Sequence, residues 1–218
     1  MAWWLKWLIP AILVLLGLFL GHLILVTHRI CGPLINFTHT FDRLAEGDLL
    51  ILSDYLAKTV TPGIFKSLRD RFPQKISALD SRDNLLDFPG VTLATPNEPE
   101  IKKLFPGKKF LGDGDFIKAG TELLDKLDAK GVVLKRGHKG MLVLGRGEKP
   151  LVLDIYGTSQ IVDVTGAGDT VLAVLGLGLA AGADLHDSAR LANIAGGLVV
   201  MHEGAYPLRR RELQDALP

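Results

Sequence analysis

The run Asp163–Thr170 combines glycines and carboxylates at the point where a strand-like segment gives way to a helical pattern. Gly166 and Gly168 flank Ala167, so backbone N–H groups at a helix N-terminus can hold a developing negative charge. Asp169 follows at once, within reach of a hydroxyl bound over the same pocket. Phosphoryl transfer needs both parts, an anion cradle and a base for the attacking hydroxyl. A glycine turn with an acidic residue that complements the helix dipole is the simpler alternative, but the length and setting of the run favour the catalytic interpretation.

The elements that must position this run alternate along the chain after residue 48. Apolar runs predict strands at 49–53, 75–79, 91–95, 131–134, 141–144 and 151–155. Helical patterns occupy 61–72, 98–104, 115–130, about 168–182 and 185–202. Such alternation predicts an α/β fold with a mainly parallel sheet flanked by helices.

The composition excludes several classes of function. A formal charge of +1 over 218 residues gives no field that would attract nucleic acid, so we expect no nucleic-acid partner. Cys31 is the single cysteine, which rules out an internal disulfide framework and an all-cysteine metal site.

The N-terminal segment carries a pattern of its own. Trp7–Thr27 contains 21 residues without Asp, Glu, Lys or Arg. As a helix this run would be about 32 Å long, against a hydrocarbon core of roughly 30 Å. The tryptophans before and at its start are typical of an interfacial aromatic belt. The sequence therefore predicts a transmembrane helix over 1–28 that anchors the chain in a lipid bilayer. A cleaved signal peptide is the alternative, but the run is long for one and lacks a cleavage signal.

Residues 29–48 form a third kind of segment. Pro33 stands where a helix could begin and Gly47 where it could end, with apolar residues at helical spacing between them. The segment resembles the first helix of a HAMP signalling linker. An amphipathic helix lying on the bilayer surface fits the same pattern.

Four segments of residues 49–218 together resemble the C-terminal part of a ribokinase/PfkB-family carbohydrate kinase. Within that family, the resemblance is greatest to the heptose 7-phosphate kinase domain of lipopolysaccharide biosynthesis. The segments are Asp163–Thr170, which matches the DTxGAGD signature, Thr95–Glu100, which matches the TPN and NxxE motifs, Leu134–Met141 and Leu191–Ala205. Leu52–Tyr55 and Asp80–Arg82 match the heptose-kinase subgroup more weakly.

The resemblance implies ATP and Mg²⁺ as cofactors, a monovalent cation such as K⁺, and a sugar or sugar phosphate as acceptor. It implies that Asp169 is the general base and that Gly166, Ala167 and Gly168 form the anion hole. Asn97 and Glu100 would help to hold phosphates and Mg²⁺, the latter through water. The residues implied along the nucleotide are Asn97, Lys135, Gly137, Gly140 and Asn193, and those at the monovalent cation are Asp163 and Thr165. With the helix 1–28, it implies a bacterial inner-membrane protein whose kinase domain is cytoplasmic.

Each of these residues also has an ordinary structural interpretation. Asn97 and Glu100 fit a helix capping pair. The turn at 136–140 fits a hairpin with basic residues in solvent. Asn193 fits a hydrogen-bonded buried amide. Lys135 stands where the family usually has Thr or Ser, and a lysine there could neutralise phosphate charge or crowd the ribose. The joint occurrence of the motifs, in the family order, favours the kinase interpretation.

The part of the family that precedes these motifs and binds the sugar has no counterpart in the sequence before residue 49. Phosphoryl transfer depends on an acceptor held in line, so we expect a competent form to need a homodimer or a complementing chain. Two alternatives remain open: a membrane-tethered, non-catalytic module that binds nucleotide or a partner, and a chance fusion of a signalling-protein start with a kinase fragment.

Overall fold

One six-stranded sheet forms the centre of the structure, a computed structural model that describes residues 49–54, 60–157 and 161–217. Its strands lie in chain order: β1 Leu49–Asp54, β2 Ile76–Ser81, β3 Leu93–Ala94, β4 Gly131–Lys135, β5 Met141–Gly145 and β6 Leu151–Leu153. Neighbouring strands from β1 to β4 are parallel, and the last two pairings are antiparallel. The predicted mainly parallel sheet is therefore confirmed.

Six helices accompany the sheet in the described residues: α1 Pro62–Arg71, α2 Glu98–Leu104, α3 Asp113–Leu127, α4 Ala167–Ala180, α5 Leu185–Val199 and α6 Arg210–Asp215. Local sequence explains most of their ends. The Thr61 hydroxyl accepts the Ile64 N–H at 3.2 Å, and a proline then opens α1. The predicted extension of α3 to residue 130 is wrong, because Asp128 adopts the left-handed conformation and ends the helix.

Helices cover both faces of the sheet. On one face Val143 belongs to a buried apolar cluster that includes Leu172 and Leu175 of α4 and Ala189 of α5. The neighbouring Leu144 points the other way, towards Gly120 of α3. Because both faces are apolar and covered, the strands read as continuous hydrophobic runs in the sequence.

The predicted transmembrane helix over 1–28 and the HAMP-like segment over 29–48 lie outside the described residues. Among the residues that are described, no helix combines the length and the apolar character needed to cross a membrane.

Candidate active site

The parallel strands bring polar side chains to one edge of the sheet. β1 ends with Ser53 and Asp54, β2 with Asp80 and Ser81, and β4 with Lys135. The carboxyl ends of parallel strands all meet at this edge, which is where open α/β sheets bind their ligands. Asp54 is buried and accepts a hydrogen bond from the Ser81 hydroxyl at 3.0 Å, so the ends of the two strands are fixed to each other.

The Gly166–Gly168 turn starts α4 at the same edge. Gly166 has φ 76° and ψ −4°, a left-handed conformation that glycine adopts without steric cost. The helix begins at Ala167, and the first N–H groups of a helix have no partner within it. All three residues line a cleft of about 560 Å³. The arrangement can stabilise an anion with backbone dipoles.

Asp169 lies in the first turn of α4 and is half-buried. Its Oδ1 accepts a hydrogen bond from the Ser53 hydroxyl at 3.0 Å. Ser53 lines the cleft, so this contact fixes the Asp169 carboxylate at the cleft wall.

Asn97 and Glu100 form a complete capping box at the start of α2. The Glu100 N–H donates to Asn97 Oδ1 at 2.9 Å, and the Asn97 N–H donates to Glu100 Oε2 at 2.8 Å. The structural interpretation of this pair is therefore correct. Both residues nevertheless line the cleft, so they remain available to a ligand. Burial raises the pKa of the Glu100 carboxyl, while the Asn97 N–H and the Lys135 cation oppose that shift.

Lys135 points into the cleft near the start of α4. Its Nζ pairs with Asp80 Oδ2 at 2.5 Å, and the two side chains are only 17% and 16% exposed. Both atoms also lie 3.5 Å from the point where a Cβ on Gly168 would stand. The lysine therefore lies beside the glycine turn.

The turn between β4 and β5 is fixed on both of its sides. The Arg136 side chain, 6% exposed, pairs with Glu98 and Asp113 at 3.2 and 2.5 Å. The prediction of a turn with its basic residues in solvent is thus wrong for Arg136. Gly140 has φ 75° and ψ −129°, and a Cβ there would stand 2.0 Å from the Leu153 carbonyl oxygen. The turn backbone thus approaches the end of β6 closely.

Asn193 of α5 and Asp163, in the loop before α4, border the cleft. The Asn193 amide donates to the Asp154 carbonyl at 2.7 Å, as expected of a hydrogen-bonded structural amide, and it also lines the cleft. Asp163 accepts the Thr165 hydroxyl at 2.7 Å, and the N–H groups of Thr165 and Gly204 at 2.9 Å each. These hydrogen bonds, led by that from the Thr165 hydroxyl, hold the pKa of the Asp163 carboxyl below its usual range.

Ten of the twelve predicted site residues line this one cleft: Asn97, Glu100, Lys135, Gly137, Gly140, Thr165, Gly166, Ala167, Gly168 and Asn193. The other two contact it through a lining residue, Asp169 through Ser53 and Asp163 through Thr165. Sequence reasoning assigned no role to Ser53, Asp54, Asp80 or Arg82, which also line the cleft. The signal in the sequence that could have found them is the polar residues at the ends of two apolar strand runs. In the described residues no group of three or more His, Cys, Asp or Glu side chains could hold a metal ion.

Sequence comparison finds relatives over most of the described part. The profile of the pfkB family carbohydrate kinases matches residues 45–210. The bifunctional protein HldE of Geobacter sulfurreducens is 33% identical over 181 residues, or 79% of this chain and 36% of that protein. The HldE of Photobacterium profundum is 40% identical over 128 residues, or 59% of this chain and 26% of that protein. The chain thus spans roughly a third or less of the length of these relatives.

Solved structures share the same architecture. The ribokinase of Arabidopsis thaliana, solved with ribose and ATP, matches with a TM-score of 0.66 and 24% identity. Phosphofructokinase-2 of Escherichia coli, solved with potassium, matches with a TM-score of 0.68 and 22% identity. The matches cover 78% and 83% of this chain, and 55% and 60% of those chains. At these identities the likeness concerns the fold alone, and it confirms the predicted ribokinase-like fold.

Proposed function

The chain belongs to the pfkB family of carbohydrate kinases, and from this we propose that its cleft binds ATP with Mg²⁺ and transfers a phosphoryl group to a sugar or sugar phosphate. One observation carries the proposal: the Gly166–Gly168 turn shares a cleft with Lys135, Asn97 and Glu100, and Ser53 holds Asp169 at the wall of that cleft. The similarity to HldE proteins supports a heptose 7-phosphate as the acceptor. The ribokinase solved with ATP supports the choice of nucleotide.

The residues of the cleft fit a nucleotide triphosphate and its metal. A volume of about 560 Å³ falls in the range of small-molecule sites. Gly168 has no side chain beside Lys135, so the backbone of the turn is open to a phosphate there. Oxygen ligands suit Mg²⁺, and Glu100 and Asn97 supply them at the cleft wall. Glu100 in particular would gain from a nearby cation, because burial penalises its charged form.

The proposed chemistry follows from the positions of these groups. Asp169 takes the proton of the acceptor hydroxyl, and the Ser53 hydroxyl keeps its carboxylate oriented. The N–H groups of the Gly166–Gly168 turn stabilise the charge that develops on the transferred group. Mg²⁺, when bound through Asn97 and Glu100, neutralises phosphate charge. Asp163 and Thr165 are the proposed monovalent-cation site, and the lowered pKa of Asp163 keeps that carboxylate ionised.

The acceptor side of the reaction is a separate proposal. The chain spans 55% and 60% of the solved ribokinase and phosphofructokinase-2 chains. We propose that a second copy or a complementing chain completes the sugar pocket, because in-line transfer requires a held acceptor. Phosphorylation of a panel of sugar phosphates by the chain as an isolated monomer would contradict this need. It would also eliminate the alternative of a non-catalytic nucleotide-binding module.

Calorimetry with ATP tests the nucleotide and metal together. We expect the folded protein to bind ATP in the presence of Mg²⁺. Glu100→Gln should weaken binding of the Mg²⁺ complex by about tenfold, the cost of losing one charge-assisted contact, and should leave binding in EDTA nearly unchanged. The reason is that the substitution removes the negative charge that a metal requires.

The chain offers a matched control for this substitution. Glu212 stands at the equivalent position of α6 and accepts the Arg209 N–H at 2.8 Å, as Glu100 accepts that of Asn97. It does not line the cleft, so Glu212→Gln should leave binding unchanged. Failure of a well-folded wild-type protein, as judged by circular dichroism, to bind ATP would refute the nucleotide proposal.

We also propose that residues 1–28 tether the kinase to the bacterial inner membrane, with residues 29–48 as a HAMP-like or surface-bound connector. The uncharged Trp7–Thr27 run supports this proposal. In cell fractionation the chain should stay with the membranes after carbonate extraction. A variant that begins at residue 49 should be released, and recovery of the complete chain in the wash would contradict the tether.

A further inference from the structure

An ion pair lies in the part of the cleft where the Gly166–Gly168 turn is proposed to hold phosphate. Asp80 is the next-to-last residue of β2 and Lys135 the last of β4, and their side chains meet across the shorter β3 that lies between these strands. Carboxylate and ammonium both lie 3.5 Å from the Cβ position of Gly168, in the first turn of α4. The pair is about five-sixths buried, so solvent screens it only in part.

The acidic member of this pair is out of keeping with an anion site. A carboxylate beside a phosphate repels it unless a cation stands between them. Lys135 is that cation, but a lysine that is already paired with a carboxylate attracts a second anion less strongly. The two negative groups must therefore share one ammonium group or compete for it.

We propose that Asp80 is an internal counter-ion that holds Lys135 in place until nucleotide binds, and that the terminal phosphate then takes Lys135 from it. The inference rests on the proposed function of the cleft. Lys135 becomes the residue that distinguishes ATP from ADP, because it lies beside the glycine turn and not along the rest of the nucleotide. Asp80 lowers the affinity for triphosphate and keeps the lysine correctly positioned.

A different role for Asp80 makes the opposite prediction. If Asp80 binds Mg²⁺, its removal weakens binding of the Mg²⁺ complex and has no effect in EDTA. If Asp80 competes for Lys135, its removal strengthens ATP binding in both conditions. The direction of the change in EDTA therefore separates the two roles.

Calorimetric titration of the full chain with ATP and with ADP tests the inference. Lys135→Met should weaken ATP binding by about tenfold and ADP binding by about threefold or less. Asp80→Asn should strengthen ATP binding in EDTA by about threefold or more. The decisive measurement is the double variant: Lys135→Met should cost several-fold more in the Asp80→Asn background, where no carboxylate occupies the lysine.

Asp83 and Lys103 provide the matched controls. They form an ion pair outside the cleft. Asp83 lies three residues after Asp80 in the chain. Asp83→Asn and Lys103→Met remove the same charges and should leave both affinities unchanged. Circular dichroism and thermal melting establish that each variant is folded.

The outcomes separate the inference from the proposed function. If the wild-type protein binds ATP, and if Lys135→Met has the same effect with and without Asp80→Asn, the competition for Lys135 is overturned and the proposed function stands. Weaker ATP binding by Asp80→Asn only with Mg²⁺ assigns Asp80 to the metal and also overturns it. A folded wild-type chain that binds neither ATP nor ADP refutes the proposed function and the inference together.

Discussion

Replacement of Asp169 by Asn is expected to lower phosphoryl transfer by about 10²–10⁴-fold, the usual contribution of a positioned general base. The substitution keeps the size and shape of the side chain, and its oxygen can still accept the hydrogen bond from Ser53. What it removes is the basic oxygen that is proposed to take the proton of the acceptor hydroxyl. Nucleotide affinity should change little, because the proposed phosphate contacts come from the glycine turn and from Lys135. Turnover with heptose 7-phosphate and calorimetry with ATP measure the two effects separately.

Asp187 is the matched control for Asp169. Both carboxylates stand at the third residue of their helices, Asp169 in α4 and Asp187 in α5. Asp187→Asn therefore removes the same favourable interaction with a helix dipole but no group at the cleft. Turnover of Asp187→Asn should equal that of the wild type. Undiminished turnover by Asp169→Asn would exclude Asp169 as the base.

A single methyl group at Gly140 is expected to destabilise the fold by about 3 kcal/mol, as severe backbone strain and steric overlap do elsewhere. Two causes add. An alanine at φ 75° and ψ −129° adopts a backbone conformation reserved for glycine, and its Cβ would overlap the Leu153 carbonyl oxygen. The turn must then move away from β6, so ATP affinity should fall as well. Urea unfolding of Gly140→Ala against the wild type measures the first effect, and calorimetry measures the second.

A control substitution at Gly147 separates the effect of backbone strain from that of steric overlap. Gly147 also has a positive φ, 79°, but a Cβ there would meet no atom within 4 Å. Gly147→Ala should therefore cost about 1 kcal/mol through strain alone and leave ATP affinity unchanged. Equal losses in the two variants would show that the close approach of Gly140 to Leu153 contributes nothing.

Elements with strong local signals were predictable from the sequence. β4 and β5 are apolar runs joined by a glycine-bearing turn, and the structure contains both within one residue of the predicted ends. α2 begins at its capping pair as predicted. The sequence predicts β3 over 91–95, but the strand covers only Leu93–Ala94. The Thr92 N–H donates to the Ser77 hydroxyl and not to a strand carbonyl, and Pro96, two residues after Ala94, has no N–H to continue the ladder. The short α6 was not predicted, since six residues give little periodic pattern.

Contacts between distant residues could not be predicted in the same way. The sequence singles out Lys135 as a departure from the family and Asp80–Arg82 only as a weak match to the heptose-kinase subgroup. The ion pair of Lys135 with Asp80 depends on the lateral order of β2, β3 and β4, which no local pattern specifies. The burial of Arg136 likewise depends on Asp113, which the folded chain brings to the turn from the start of α3. Side-chain partners of this kind depend on the order of the strands in the sheet, and the sequence predicts only the α/β class and not that order.

Polar groups collect at the carboxyl ends of the strands, so the two edges of the sheet have different roles. The turns at the opposite edge, such as 145–150 between β5 and β6, contribute no residue to the cleft in the described part of the chain. Mutations there should change the stability of the fold and leave the cleft residues untouched, whereas a cleft residue such as Gly140 serves both binding and stability. A lineage built on this sheet can therefore gain stability at the opposite edge without changing what the cleft binds.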